Sequence, residues 1–291
     1  MPVLDRRPEV VLERVLFATD FSDTAQKALG YAVALARRFS AELDIVHILE
    51  LSVGMVSSEG PTECLIDAVQ QSSQDLLDAE LKGIEGIKVR GEIRQGISPP
   101  DDLLVSSREV KADLIVQGTA SKHGLDKLIL GSTAERVLRT VYCPVLTVGQ
   151  QAAAAPMGPL TFHRIVCADE FTEASNRALE FALSFAQDAG AHLYVCHVMA
   201  DSQSDPIPIH DRDIQKRMEA LIGPESREWC SPQFVVEHGK GPEQILSLAT
   251  RVNADLIVLG PRSSSFWLDY MQMGMTPAIL AHAKCPVLTI H

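Results

Sequence analysis

The 291-residue sequence contains no run of about 18 consecutive apolar residues, so no segment is expected to span a membrane. Its start, Met1-Pro-Val-Leu-Asp-Arg-Arg-Pro8, lacks the apolar core of a secretory signal. The six cysteines (Cys64, Cys143, Cys167, Cys196, Cys230 and Cys285) include no Cys-x-x-Cys pair, which argues against a disulfide framework or a zinc site. Several sit inside apolar runs and read as small core residues of a reducing compartment, so a cytoplasmic protein is expected. A basic surplus is missing too. The net charge is −12, with 16 Lys+Arg against 22 Asp+Glu in residues 1–150 and 10 against 16 in the remainder, −6 in each part. Neither nonspecific nucleic-acid binding nor an acidic membrane surface suits that balance. Also absent are the Walker lysine motif, Gly-x-Gly-x-x-Gly, Gly-x-Ser-x-Gly and His-Glu-x-x-His. P-loop, dinucleotide, nucleophile-elbow and zinc-peptidase chemistries lose their usual sequence carriers.

What the chain does have is a repeat. Arg14-Val-Leu-Phe-Ala-Thr-Asp20-Phe-Ser22 returns as Arg164-Ile-Val-Cys-Ala-Asp-Glu170-Phe-Thr172, an offset of 150 that holds through His47 and His197. Ala112-Asp-Leu-Ile-Val-Gln-Gly118 returns as Ala254-Asp-Leu-Ile-Val-Leu-Gly260, and Cys143-Pro-Val-Leu-Thr-Val148 as Cys285-Pro-Val-Leu-Thr-Ile290, at an offset of 142. The second copy is therefore shorter in its middle. The length suffices for two domains, each with a core, and a period this long means two copies of one domain rather than a solenoid. The boundaries read as 1–149, a linker 150–160 rich in Ala, Gly and Pro, and 161–291.

Each copy alternates short β-branched runs with helical patterns. Ala28, Tyr31, Ala32, Leu35 and Phe39 share one helix face. Leu65, Val69, Leu76, Leu77 and Leu81 suggest a long amphipathic helix, and Ile214, Met218, Leu221 and Ile222 a shorter counterpart. Pro-led helices follow at Pro100–Val110 and Pro242–Val252. The fold class is α/β, two tandem doubly wound domains, each with a five-stranded parallel sheet between helices. Ligands of such sheets sit past the carboxyl ends of the strands.

One stretch carries the functional reading. Gly118 ends an apolar run, and Gly131-Ser132-Thr133 opens a helix, Gly131 lying 13 residues after Gly118. Unpaired N–H groups and the helix dipole favour an anion there, above all a phosphate. The hydroxyls of Ser121, Ser132 and Thr133 are donors, and the two glycines permit close backbone approach or, at Gly131, a left-handed backbone. A glycine turn with an ordinary helix cap is the plainer alternative. His47 and His197 read as hydrogen-bonded core residues rather than metal ligands, and Lys122, His123 and Lys127 as solvated loop residues.

With these residues in hand, the chain resembles the universal stress protein family, twice over. Ala18-Thr-Asp-Phe-Ser-Asp-Thr-Ala25 looks like that family's first turn. Gly118, Ser121 and Gly131-Ser132 follow the spacing of its Gly-x2-Gly-x9-Gly-Ser/Thr motif, with Ser121 where the family has glycine. The resemblance implies strand order 3-2-1-4-5 and an ATP or other adenine-nucleotide ligand, with or without Mg²⁺. Asp20 would contact adenine or ribose, the Ile48 backbone the base, and Gly118, Ser121, Gly131, Ser132 and Thr133 the ribose and phosphates. It also implies an intramolecular pseudo-dimer through the fifth strands, with homodimerisation and an unidentified protein partner as further expectations.

The second copy departs from the motif: Glu170 replaces Asp20, and Met273-Gly274 replaces the Gly-Ser pair. Trp267, Tyr270, Met271 and Met275 suggest a packing or interface patch there. The expected function is a nucleotide-dependent regulatory module, with no catalytic residue assigned. A pseudo-symmetric scaffold without nucleotide is the alternative, and slow ATPase or autophosphorylating activity a weaker one.

Overall fold

Each set of β-branched runs and amphipathic segments becomes five parallel strands flanked by helices. The structure, a computed structural model, describes residues 10–50, 62–119, 131–187, 190–199, 208–260 and 275–290. The chain forms two compact units, one of Leu12–Val148 with Ala154–Leu160, the other built on Thr161–His291 with Gly149–Ala153.

The first unit runs β1 (Arg14–Ala18), α1 (Asp23–Phe39), β2 (Glu42–Glu50), α2 (Thr62–Lys82), β3 (Val89–Gly96), α3 (Pro99–Glu109), β4 (Leu114–Gly118), α4 (Ser132–Thr140) and β5 (Val145–Val148). Its strands lie in the order β3-β2-β1-β4-β5, all parallel, with Ala18 opposite Val46 on one side and Gln117 on the other. β1 is central, and Val15, Leu16 and Phe17 are fully buried, as a strand covered on both faces requires. The small inward residues Ala25, Ala28, Ala32 and Ala36 let α1 lie close to the sheet. Ser22 caps its start by accepting the Ala25 N–H at 3.2 Å, and Ser40 ends it in the left-handed region.

α2 packs on β3 through Leu77 and Leu81, which stand 2.9 Å from where a Cβ on Gly91 would be. Val69 and Leu76, expected on the same apolar face, are 38% and 48% exposed instead. At seven residues apart they share a stripe that turns away from β3. Of the linker, Ala155 lies against Gly30, and the Leu160 carbonyl accepts from Arg38.

The second unit runs β6 (Arg164–Ala168), α5 (Glu173–Gln187), β7 (His192–Met199), α6 (Pro208–Glu219), α7 (Ser226–Trp229), β8 (Ser231–His238), α8 (Gly241–Arg251), β9 (Leu256–Leu259), α9 (Met275–His282) and β10 (Val287–Thr289). The parallel order is β8-β7-β6-β9-β10, the same arrangement. α6 has 12 residues against 21 in α2, which accounts for the shorter second copy. The short α7 is an addition that periodicity did not reveal. Cys143, Cys167, Cys196, Cys230 and Cys285 are free and buried, and burial pushes the Cys143, Cys196 and Cys285 thiols up to about 12. The side chain of Cys64 is outside the described residues. Among the described residues, no helix is long and apolar enough to cross a membrane.

Candidate functional site

In the first unit the connections leave the central strands in opposite directions, so a crevice opens past the carboxyl ends of β1 and β4. Asp20, two residues beyond β1, stands at its mouth. Its Oδ1 accepts the Ser22 N–H at 3.1 Å, which holds the carboxylate at the start of α1.

The neighbouring strand supplies a backbone edge. Glu42 donates to Glu13 and Val46 accepts from Thr19, whereas Leu43 donates to Lys88 of the β3 side. Even-numbered residues of β2 therefore direct both backbone groups toward β1. β1 pairs only as far as Ala18 opposite Val46, with Thr19 making the last bond. The N–H and C=O of Ile48 consequently face past the end of β1. That edge can read a planar group carrying a donor beside an acceptor.

α1 follows β1 and α4 follows β4 at the crevice, and the two helix starts differ. α1 is capped by its own Ser22. α4 has Gly131 at its cap position and no side-chain cap, so the N–H groups of its first turn are not satisfied by a cap. Ser132 and Thr133 form that turn. Gln117 ties it to β4 by donating to the Ala134 carbonyl at 3.3 Å. Gly131 has φ −62°, so the expected left-handed backbone is not adopted, because extended backbone before the first helical residue suffices to enter the helix. Gly118 also differs from expectation in what fills its missing side chain. A Cβ there would meet Ala25 N and Thr24 C at 2.9 Å, so the close backbone approach is that of α1. Ser121 lies outside the described residues, as does the loop 120–130 that carries it.

Spacing along the chain gave no sign of a buried polar cluster beneath Asp20. Glu80 of α2 takes hydrogen bonds from Gln26 and from the Thr19 hydroxyl, leaving Oε2 buried and without a partner among the described residues. Desolvation pushes its carboxyl above the ordinary glutamate range, and those two hydrogen bonds oppose the rise. The turn itself is strained. Phe21 has φ 59° and Phe171 φ 56°, a region that costs a bulky residue roughly 1–3 kcal/mol. Each ring stacks on a histidine of the next strand, Phe21 on His47 at 4.6 Å and Phe171 on His197 at 4.8 Å. The recurrence of Phe and His at one offset was the sequence signal for this feature.

The second unit repeats the frame with other chemistry. Glu170 occupies the Asp20 position, and Asp169 replaces Thr19. Asp169 is 1% exposed, its Oδ1 accepting from Ser175 Oγ at 2.7 Å and from the Phe171 N–H at 3.1 Å. Thr172 and Ser175 cap α5 reciprocally at 3.0 Å. Asp169 donates its N–H to Cys196, so Val198 faces past β6 as Ile48 faces past β1. Arg217 of α6 stacks 3.9 Å above the Phe171 ring. Met273 and Gly274 lie outside the described residues, with Trp267, Tyr270 and Met271.

Comparison with known proteins follows the same division. A universal stress protein of Methanocaldococcus jannaschii is 34% identical over 147 residues, 49% of this chain and 85% of its own length. A universal stress protein A homolog of Coxiella burnetii is 31% identical over 138 residues, 47% of this chain and 95% of its own. The solved structure of a universal stress protein from Archaeoglobus fulgidus matches at TM-score 0.75 over 97% of both chains, with 21% identity, a likeness of fold. The universal stress protein family model matches residues 12–149 and again 161–291. The chain belongs to the universal stress protein family and carries two copies of its domain in tandem.

Proposed function

We propose that the first domain, residues 1–149, binds an adenine nucleotide, ATP foremost, past the carboxyl ends of β1 and β4. One observation carries the reading: α4, the helix that follows β4 into this crevice, has no side-chain cap, whereas α1 after the neighbouring β1 is capped by Ser22. Its first-turn N–H groups and the hydroxyls of Ser132 and Thr133 are suited to phosphate oxygens. The Ile48 edge suits an adenine, which offers an exocyclic donor beside a ring acceptor. Asp20 accepts from ribose hydroxyls, Gly118 lines the floor, and Ser121 joins from the loop. Mg²⁺ accompanies ATP by neutralising its phosphates rather than through a protein cage.

The second domain, residues 161–291, keeps the backbone edge at Val198 but has Glu170 for Asp20, and it does not bind the same ligand. Residues 150–160 link the two. The chain works as an intramolecular pair in a stress response, and a partner protein reads the nucleotide state of the first domain. Chemistry on the nucleotide is not part of this reading. Absorbance and mass spectra of the supernatant after denaturing purified protein test it directly, with adenine nucleotide released near one per chain. No released nucleotide, together with no ATP binding in calorimetry at millimolar ligand, returns the chain to a scaffold role.

A further inference from the structure

The geometry points to His47 and His197 as positioning residues, each locking the strained turn that presents the acidic residue at the end of its first strand. In both units the same three contacts recur. His47 Nδ1 lies 2.8 Å from the Thr19 carbonyl oxygen, and His197 Nδ1 lies 2.7 Å from that of Asp169. The N–H two residues on is tied as well, Phe21 to Thr19 Oγ1 at 3.0 Å and Phe171 to Asp169 Oδ1 at 3.1 Å. The rings then close the brace, inclined 37° and 39° to each other.

Asp20 and Glu170 are the residues between these tied groups. The carbonyl before each and the N–H after each are both fixed, so the acidic side chain leaves a backbone with little freedom. Glycine is the residue that adopts φ near +60° at least cost, yet both copies place phenylalanine there. Phenylalanine supplies the ring that the histidine stacks on, and strain of this kind persists where surrounding contacts over-determine it. The side chain that ties the N–H has changed from threonine to aspartate between the copies, but the bond is kept. The histidine and the phenylalanine have not changed.

A carbonyl oxygen only accepts, so Nδ1 of both histidines carries the proton. In its neutral form each ring is thus held as the Nδ1–H tautomer. These contacts belong to the protein without ligand. The consequence for affinity rests on the nucleotide reading of the first domain: His47 acts on the ligand through Asp20.

Two measurements on the full chain test the proposal. Nitrogen-15 spectra of the imidazoles are expected to show the Nδ1–H tautomer for both His47 and His197. In calorimetry with ATP, His47→Phe keeps a ring but removes the donor, and at least a tenfold loss of affinity is expected. His47→Asn places an amide N–H where Nδ1 stood and should remain within about threefold of wild type. In an Asp20→Ala background His47→Phe should change affinity less than twofold, which a general loss of structure would not produce. An Nε2–H tautomer at either residue overturns the brace. Equal losses from His47→Phe with and without Asp20, or no loss at all, overturn the positioning role. If wild type binds no ATP, the nucleotide reading and the effect on affinity both fall, and the tautomer alone decides the brace.

Discussion

Gly118, the last residue of β4, lies so close to Ala25 in the first turn of α1 that an added Cβ would stand 2.9 Å from the Ala25 backbone nitrogen. The second unit is tighter, with the Ala174 oxygen 2.2 Å from a Cβ on Gly260. Backbone atoms have little room to yield, so Gly118→Ala should cost about 1–3 kcal/mol and Gly260→Ala more. Urea unfolding without ligand measures both. Wild-type stability for either variant would mean that α1 or α5 shifts freely, and the glycine would then belong to the ligand site alone.

Asp20→Ala is expected to weaken ATP binding at least tenfold, about 1.5–3 kcal/mol for a lost charged hydrogen bond. Glu170→Ala should leave ATP affinity unchanged. Calorimetry with each variant compares them, and equal losses would mean that both domains bind nucleotide.

Gly131 separates stability from binding. Its φ of −62° and ψ of 145° suit a capping aspartate. Gly131→Asp should therefore leave the ligand-free protein as stable as wild type or slightly more so, because the carboxylate satisfies first-turn N–H groups of α4. The same carboxylate repels phosphate. Melting curves should show ATP at 100 times its Kd stabilising wild type by about 2.7 kcal/mol and the variant by nothing. A full ATP response in the variant would remove α4 from the phosphate site.

Glu80 makes stability depend on pH. Its carboxyl is raised in the folded protein, so the folded state holds the proton more tightly than the unfolded chain. The stability this provides is complete below the ordinary glutamate range and is lost as pH rises through the raised value. Glu80→Gln removes the titration and the orphaned carboxylate oxygen. It should stabilise the protein by about 1 kcal/mol at pH 7, with a smaller gain or a loss at pH 4. A gain that stays constant across that range would show that Glu80 is not the group responsible.

The thiols offer a chemical check on the cores. The five cysteines whose side chains are described are buried, and burial raises Cys230 to about 11 and Cys143, Cys196 and Cys285 to about 12, with Cys167 also raised. Thiolate is scarce at neutral pH in such sites. A colorimetric disulfide reagent should titrate at most one thiol per native chain, and all six after unfolding. Rapid reaction of two or more would contradict the packing around β4–β5 and β6–β10.

The amino-acid pattern by itself determined the alternation of strands and helices, the two copies and the shortened second middle. Apolar periodicity and repeated turn residues are local along the chain, so they survive without the fold. The Gly131-Ser132-Thr133 helix start and Asp20 at the end of β1 were legible for the same reason. Only the tertiary structure decided what Gly118 is for, because the backbone it admits is about 93 residues away in sequence, in a helix that crosses over the sheet. It alone turned Val69 and Leu76 outward, joined Gln26 to Glu80 across 54 residues, and left the Ile48 edge facing past a strand that ends early. Those outcomes depend on how far each strand runs beside its neighbour and where each crossover helix lands. Spacing within a single segment carries neither quantity.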